Sequence, residues 1–234
     1  MSSSNFSDLR RCVRLAALWT AVAVAIIVAG IYMQNFYPAP YAPQQPVEFS
    51  HKTHVCKLGM DCAACHTGAF ISPQAGLPPA SSCMNCHRHV LSDSPLIEPI
   101  RRAADPDYPE YTGMPIPWVA VNRLAGHAYF SHVAHVTRGV GCTECHDDIA
   151  RMDRVGTSRN RGMKWCTECH RNPSRRLRPL EEIANPSYNP AQYLQNHDIK
   201  IGNGLKLTDP NHLSPLLQKR WIVAPSSNCT TCHH

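Results

Sequence analysis

Apolar and polar positions are spread unevenly along the chain, and the longest uninterrupted apolar run lies near its start. Residues 1–14 are Ser-rich and carry Arg10, Arg11 and Arg14, after which Leu15 to Met33 runs nineteen residues without a charge. As a helix rising 1.5 Å per residue, that run covers about 28 Å, close to the roughly 30 Å hydrocarbon core of a bilayer. Trp19, Tyr32 and Phe36 stand near its two ends and the arginines precede it. The pattern predicts a transmembrane anchor over 15–33, with residues 1–14 in the cytoplasm and everything after the span exported. A cleaved signal peptide is the alternative, but the run exceeds the usual signal core, and the best small-residue cleavage site, between Ala39 and Ala42, is crowded by prolines. Pro38, Pro40, Pro43 and Pro46 make 34–46 a stiff, extended spacer.

The remainder, 47–234, reads differently. Twelve Cys and twenty Pro against five Phe argue against an ordinary apolar core. Short α-helices and long loops are expected, a mainly irregular fold that needs something besides aliphatic side chains at its centre.

The cysteines say what that is. Ten of the twelve fall in five Cys-x-x-Cys-His motifs: Cys62, Cys65 and His66; Cys83, Cys86 and His87; Cys142, Cys145 and His146; Cys166, Cys169 and His170; Cys229, Cys232 and His233. Two thiols three positions apart add to the two vinyl groups of one haem, and the next His reaches its iron. A zinc site draws on two Cys pairs and has no need of His directly after each, so five repeats of the full motif predict five covalently bound haem c groups. Covalent attachment takes place outside the cytoplasm, in agreement with export. Cys12, on the cytoplasmic flank, and Cys56 are left without a role.

The formal charge of +6 raises nucleic acid as a partner, but Lys and Arg are scattered and no recognition motif or basic-aromatic stripe is present. Haem propionates give those cations a better counterpart.

The order of parts repeats. Phe49-Ser50-His51-x-x-His54 precedes two motifs in 47–90, and Phe130-Ser131-His132-x-x-His135 precedes two motifs in 128–172, with 91–127 between these modules and 173–228 leading to the fifth motif at 229–233. Histidines three apart on one helical face can approach two different irons from one turn. His51, His54, His132 and His135 are therefore expected as distal ligands, giving six-coordinate irons that carry electrons and bind no substrate. For the fifth distal ligand the candidates are Met152, six residues after His146, and also His89, His127, His197, His212 and His234, while Met163 sits too close to Cys166 to reach the far side of its own haem.

Pro117-Trp118, Tyr129-Phe130-Ser131-His132-x-x-His135, Cys142-x-x-Cys145-His146, Met152 and Gly162-Met163-Lys164-Trp165-Cys166-x-x-Cys169-His170-Arg171 together resemble the membrane-anchored pentahaem cytochrome c subunit of alternative complex III, and the individual modules are similar to class III multihaem cytochromes. The likeness runs over most of 15–234. Where such subunits often read Trp-x-x-Val-His after this Trp, Asn122 stands at the His position. The resemblance implies an electron-transfer subunit, catalytic on nothing itself, in a respiratory or photosynthetic complex of the cytoplasmic membrane. Its implied partners are integral membrane quinol-oxidising subunits, an iron–sulphur subunit, and an acceptor such as a monohaem cytochrome c, a blue copper protein or an oxidase, with the haem domain on the periplasmic side. Two alternatives belong to other classes. A free-standing quinol dehydrogenase feeding a periplasmic reductase needs a quinol site at a haem beside the membrane, against the spacer; an enzyme reducing a small oxyanion needs an open iron, against nine His beyond the five motif His.

Overall fold

A computed structural model describes residues 4–36, 41–157, 161–202 and 204–233, the side chains of 4–9 and 33–36 excepted. Pro38, Ala39, Pro40 and His234 lie outside the described residues. The chain falls into two units, Met1–Pro40 and Tyr41–His234.

The first unit is one helix, α1 (Ser4–Phe36), which holds a segment long and apolar enough to cross a membrane, Arg10–Tyr32, with mean hydropathy 2.3. Length and composition alone carry that statement, and a signal sequence has the same character. The helix begins before the apolar run predicted from Leu15 and ends after it, because nothing in Ser4–Arg14 or Gln34–Phe36 opposes helix formation as Pro or Gly would.

Among the described residues of the second unit there are short helices, turns and isolated β-bridges but no strand. Its α-helices are α2 (Ala80–His87), α3 (Glu98–Ala104), α4 (His132–Val136), α5 (Cys142–His146), α6 (Met163–Arg171), α7 (Pro190–Asn196), α8 (Leu213–Arg220) and α9 (Cys229–Cys232). Four motifs open on or within a helix (α2, α5, α6, α9), and the first, Cys62–Ala64, forms a 3-10 turn capped by the Asp61 side chain accepting from the Ala63 N–H.

The duplicated segments share one design and differ by one residue. In the second copy Ser131 caps α4 and the Val140 N–H returns to the His135 carbonyl, five residues back. In the first copy Lys52–Lys57 is a π-helical turn and the Met60 N–H returns to the His54 carbonyl, six residues back. The extra residue between first His and first Cys, eleven positions against ten, is thus taken up as a wider turn.

Two apolar clusters surround these parts. Val47, Met84, Ile97 and Ile100 pack α2 against α3, with Trp118 partly buried beside them. The second corrects an expectation: 173–228 is no mere connection. Leu177, Tyr193, Leu194, Leu207, Leu213 and Leu217 form an ordinary aliphatic core there, joining α7 and α8, with Leu213 only 1% exposed. Its apolar residues are spaced across short turns rather than one periodic helix, so the pattern does not stand out along the chain.

Candidate functional site

The repeated segment places its side chains by local hydrogen bonds. In both copies the second His Nδ1 lies 2.8 Å from the carbonyl of the Ser four residues earlier, His54 on Ser50 and His135 on Ser131. In both, the leading Phe wedges between the two imidazoles: Phe49 stands edge-on to His51 (4.9 Å, 88°) and stacks on His54 (4.3 Å), and Phe130 repeats this with His132 (4.9 Å, 84°) and His135 (4.5 Å). Splayed this way, the rings of one turn aim at two different places.

Each aims at a motif histidine. His51 faces His66 at 6.5 Å between ring centres, His54 faces His87 at 6.1 Å, His132 faces His146 at 6.2 Å and His135 faces His170 at 6.0 Å. His233 is faced by His127 at 5.4 Å. Two imidazoles bound head-on to one ion, with metal–nitrogen bonds of about 2 Å, have ring centres roughly 6 Å apart. The four pairs at 6.0 to 6.5 Å fit a six-coordinate iron, and the His127–His233 pair lies closer than that. Among the described residues no group of three or more His, Cys, Asp or Glu could hold a bare metal ion, and the donors face one another in pairs.

The other ring nitrogens are mostly engaged by backbone carbonyls: Nδ1 of His66 by Gly76, of His87 by Val90, of His132 by Pro73, of His170 by Ser226 and of His233 by His127, at 2.7 to 3.3 Å. A carbonyl accepts only from Nδ1–H, which leaves Nε2 with the lone pair that a metal needs. Three rings depart from this rule, and among the described residues His127 Nδ1 meets no carbonyl. His51 Nδ1 is buried without a partner, and His146 Nδ1 meets the side chain of Asn122 at 3.2 Å. Burial first, and then neighbouring histidine rings or the Arg161 guanidinium, hold His51 and His146 down to about 4, so both are neutral at physiological pH.

Neighbouring sites interlock. The Cys142 thiol lies close enough to that of Cys62 to pull it down to about 7, which sets the third site against the first. Burial pushes Cys83, Cys145 and Cys166 up, and each also feels a thiol of a neighbouring site: Cys83 feels Cys65, Cys145 feels Cys169, and Cys166 feels Cys232. These contacts set the second site beside the first, the first beside the third, the third beside the fourth and the fourth beside the fifth. The first and third touch across the module boundary, where Pro73 of the first holds His132 of the third, and Ser226 holds His170 beside the fifth.

The thiols are not equally enclosed, which corrects the even treatment that the five identical motifs invite. Cys86 of the second motif and Cys229 of the fifth are exposed, whereas the other eight motif thiols are partly buried. Cys86 lies on the solvent side of α2, whose opposite side carries Met84, 3% exposed, into the cluster with α3. Exposure leaves the spacing of Cys83, Cys86 and His87 intact, and thioether formation requires that spacing and not burial.

The remaining candidates lie elsewhere. Met152 is half-buried at the end of the turn Ile149–Arg151, where its carbonyl accepts the Lys52 N–H. His197 stacks on Tyr193 at 4.0 Å, His212 pairs with Asp209 at 2.9 Å, and Met163 is exposed at the start of α6. Cys56 donates its thiol to the Ala150 carbonyl. Sequence reasoning leaves His127 among several possibilities, since nothing local marks it. A bridge pairing Ala128 with His233 brings it into place.

Paired imidazoles over Cys-x-x-Cys-His motifs define a protein that binds haem c covalently at several sites and transfers electrons: the chain belongs to the multihaem cytochromes c. Residues 128–234 match the family described as cytochrome c7 and related cytochrome c. The chain is also similar to the menaquinone reductase, multihaem cytochrome c subunit, of Nitratidesulfovibrio vulgaris (strain Hildenborough), 32% identical over 173 residues, an alignment covering 64% of this chain and 79% of that relative.

Proposed function

We propose that this chain is a membrane-anchored relay of five haems c, each held between two histidines, that carries electrons from quinol oxidation in a membrane complex to a periplasmic or membrane acceptor. The observation that carries the reading is the set of five facing histidine pairs, one per motif. Bound haem supplies the one-electron chemistry; the protein supplies ligand type, spacing and surroundings. With His127 opposite His233, the fifth distal ligand is His127 and Met152 is not needed. The adjacent sites make a continuous path that takes in all five. Doubly ligated irons leave no position for a substrate, so quinol is oxidised on another subunit. The arrangement suits a complex like alternative complex III, with integral membrane and iron–sulphur partners, the haem domain on the periplasmic side and Leu15–Met33 as its uncleaved anchor.

The name of the relative, a menaquinone reductase subunit, favours a second reading in which the same path runs toward the quinone. One experiment addresses both. Quinol is added to the isolated, fully haem-loaded chain and then to the native membrane complex purified in mild detergent, and haem reduction is followed in each. The proposal expects slow reduction of the isolated chain and fast reduction in the complex. Equal rates place the quinol site on this chain; haem reduction by a periplasmic donor but not by quinol favours the second reading.

A further inference from the structure

We infer that Asn122 and Arg161 raise the redox potential of the third site by weakening the hydrogen bond available to His146. The inference rests on the reading of His132 and His146 as the ligands of that site.

An imidazole whose Nδ1–H donates to a good acceptor gains electron density, binds through Nε2 as a stronger base and favours the oxidised iron. Seven of the paired rings have a backbone carbonyl in that place: His54, His66, His87, His132, His135, His170 and His233. His146 has an amide. The Asn122 Nδ2 lies 3.2 Å from His146 Nδ1, while Asn122 Oδ1 accepts from Arg161 Nη1 at 2.7 Å. An amide has one accepting and one donating end, and a guanidinium has only donors. Arg161 therefore claims the Oδ1. Turning the amide over to offer Oδ1 to His146 sets the Nδ2 against the guanidinium, so any arrangement leaves His146 with a poorer acceptor than a carbonyl.

Arg161 is held in place for this. Its Nη1 also donates to Thr157 Oγ1 at 2.8 Å, its Nη2 reaches Asp147 Oδ2 at 3.5 Å, and the side chains of Arg161 and Asp147 are only 14% and 13% exposed. The Nε is buried without a hydrogen-bond partner. Arg161 is ion-paired with Asp147, but its guanidinium also donates to the Asn122 amide that faces His146, and a cation on that side favours the reduced iron. Both effects have one sign. His51, with its unpartnered Nδ1, loosens the first site in the same sense but without the guanidinium. A raised potential at the third site, which neighbours the first and the fourth, makes it the place where a single electron rests between arrivals.

The test uses the full-length, fully haem-loaded chain in detergent, titrated potentiometrically and followed by absorbance and electron paramagnetic resonance. Arg161→Gln removes the charge. Asn122→Asp gives that position two acceptors, enough for Arg161 and His146 together. Each is expected to lower one midpoint by about tenfold or more in equilibrium constant, about 59 mV for one electron, while Arg161→Lys keeps the charge and recovers part of the shift. Arg102→Gln, at an exposed arginine paired with Glu98 and Glu110, is expected to shift none. Unmoved midpoints in both Arg161→Gln and Asn122→Asp, with full haem content and low-spin spectra, overturn the inference. If Arg161→Gln loses haem, Asn122→Asp, at an exposed residue, decides alone. A high-spin signal in the unaltered protein instead overturns the ligand reading beneath it.

Discussion

Replacing Arg178 by Met is expected to destabilise the haem domain by about 2–3 kcal/mol. Arg178 is a buried cation, 6% exposed, and its guanidinium ties the third motif to the C-terminal core. It donates to Thr143 Oγ1 (3.1 Å) and Glu144 Oε1 (3.0 Å), the two residues between Cys142 and Cys145, and to the Asn185 carbonyl (3.1 Å), while lying over the Tyr188 ring at 4.9 Å. Breaking a buried ion pair by removing one partner costs roughly 3–5 kcal/mol, mostly because the other charge is left without compensation. Glu144 is not so abandoned, since Arg176 Nη1 stays 3.0 Å from its Oε2, and Met preserves much of the packed stem. Hence the lower figure. Gly141 adds a geometric check: a Cβ there would overlap the Arg178 side chain, so Gly141→Ala should destabilise the native protein and do so less in an Arg178→Met background. Equilibrium denaturation of the haem-loaded chain, followed by circular dichroism, measures all three variants, and a cycle with Glu144→Gln is expected to show about 1–3 kcal/mol of interaction. A cost below about 0.5 kcal/mol for Arg178→Met, with Gly141→Ala fully additive, refutes the argument that this cation clamps the motif.

His127→Ala should leave all haem attached but turn one site high-spin, whereas Met152→Ala should leave the spectrum unchanged; the reverse result, read in the ferric absorption spectrum, would return the fifth ligand to Met152. Gly68→Ala drives a Cβ into the Ala75 carbonyl and close to Gln74 O (3.1 Å), and is expected to cost about 1–3 kcal/mol and lower haem incorporation at the first motif, measured as haem per chain. The Tyr193 hydroxyl donates to Glu181 at 2.5 Å and holds that carboxyl below its usual range, so its contribution is present above the ordinary carboxylate range and lost as pH falls through the lowered value. Tyr193→Phe should therefore cost about 0.5–1.5 kcal/mol at neutral pH and less in acid, by denaturation at both pH values.

How much can be read along the chain follows from what each feature depends on. The motifs and the two Phe-Ser-His-x-x-His segments are local, because covalent attachment fixes the Cys and His spacing and a single turn fixes the two distal rings. In the structure each of these turns sets two rings against two motif histidines, and the one-residue difference is absorbed by the π-helical turn after His51. His127 is different in kind. It reaches His233 across more than a hundred residues through an isolated bridge, and no periodicity records such a contact. The exposure of Cys86 is hidden for the same reason, since its motif is spelled like the others and only the packing of α2 against α3 turns it to solvent. So is the core around Leu213, whose members come from two short helices and the loops around them over 177–217, where the prolines and asparagines between them look like loop. Asn122 shows the same limit from the other side. It is visible as a departure from a familiar pattern, but only the positions of Arg161 and His146 give it a task.

The central claim is that every motif histidine has a histidine across from it. Haem quantified per chain in the purified full-length protein, together with the electron paramagnetic resonance spectrum of its fully oxidised form, tests this most directly. The account predicts five haems, all low-spin with two histidine ligands. Fewer than five, a high-spin iron in undamaged protein, or the absorption signature of a methionine ligand would contradict it.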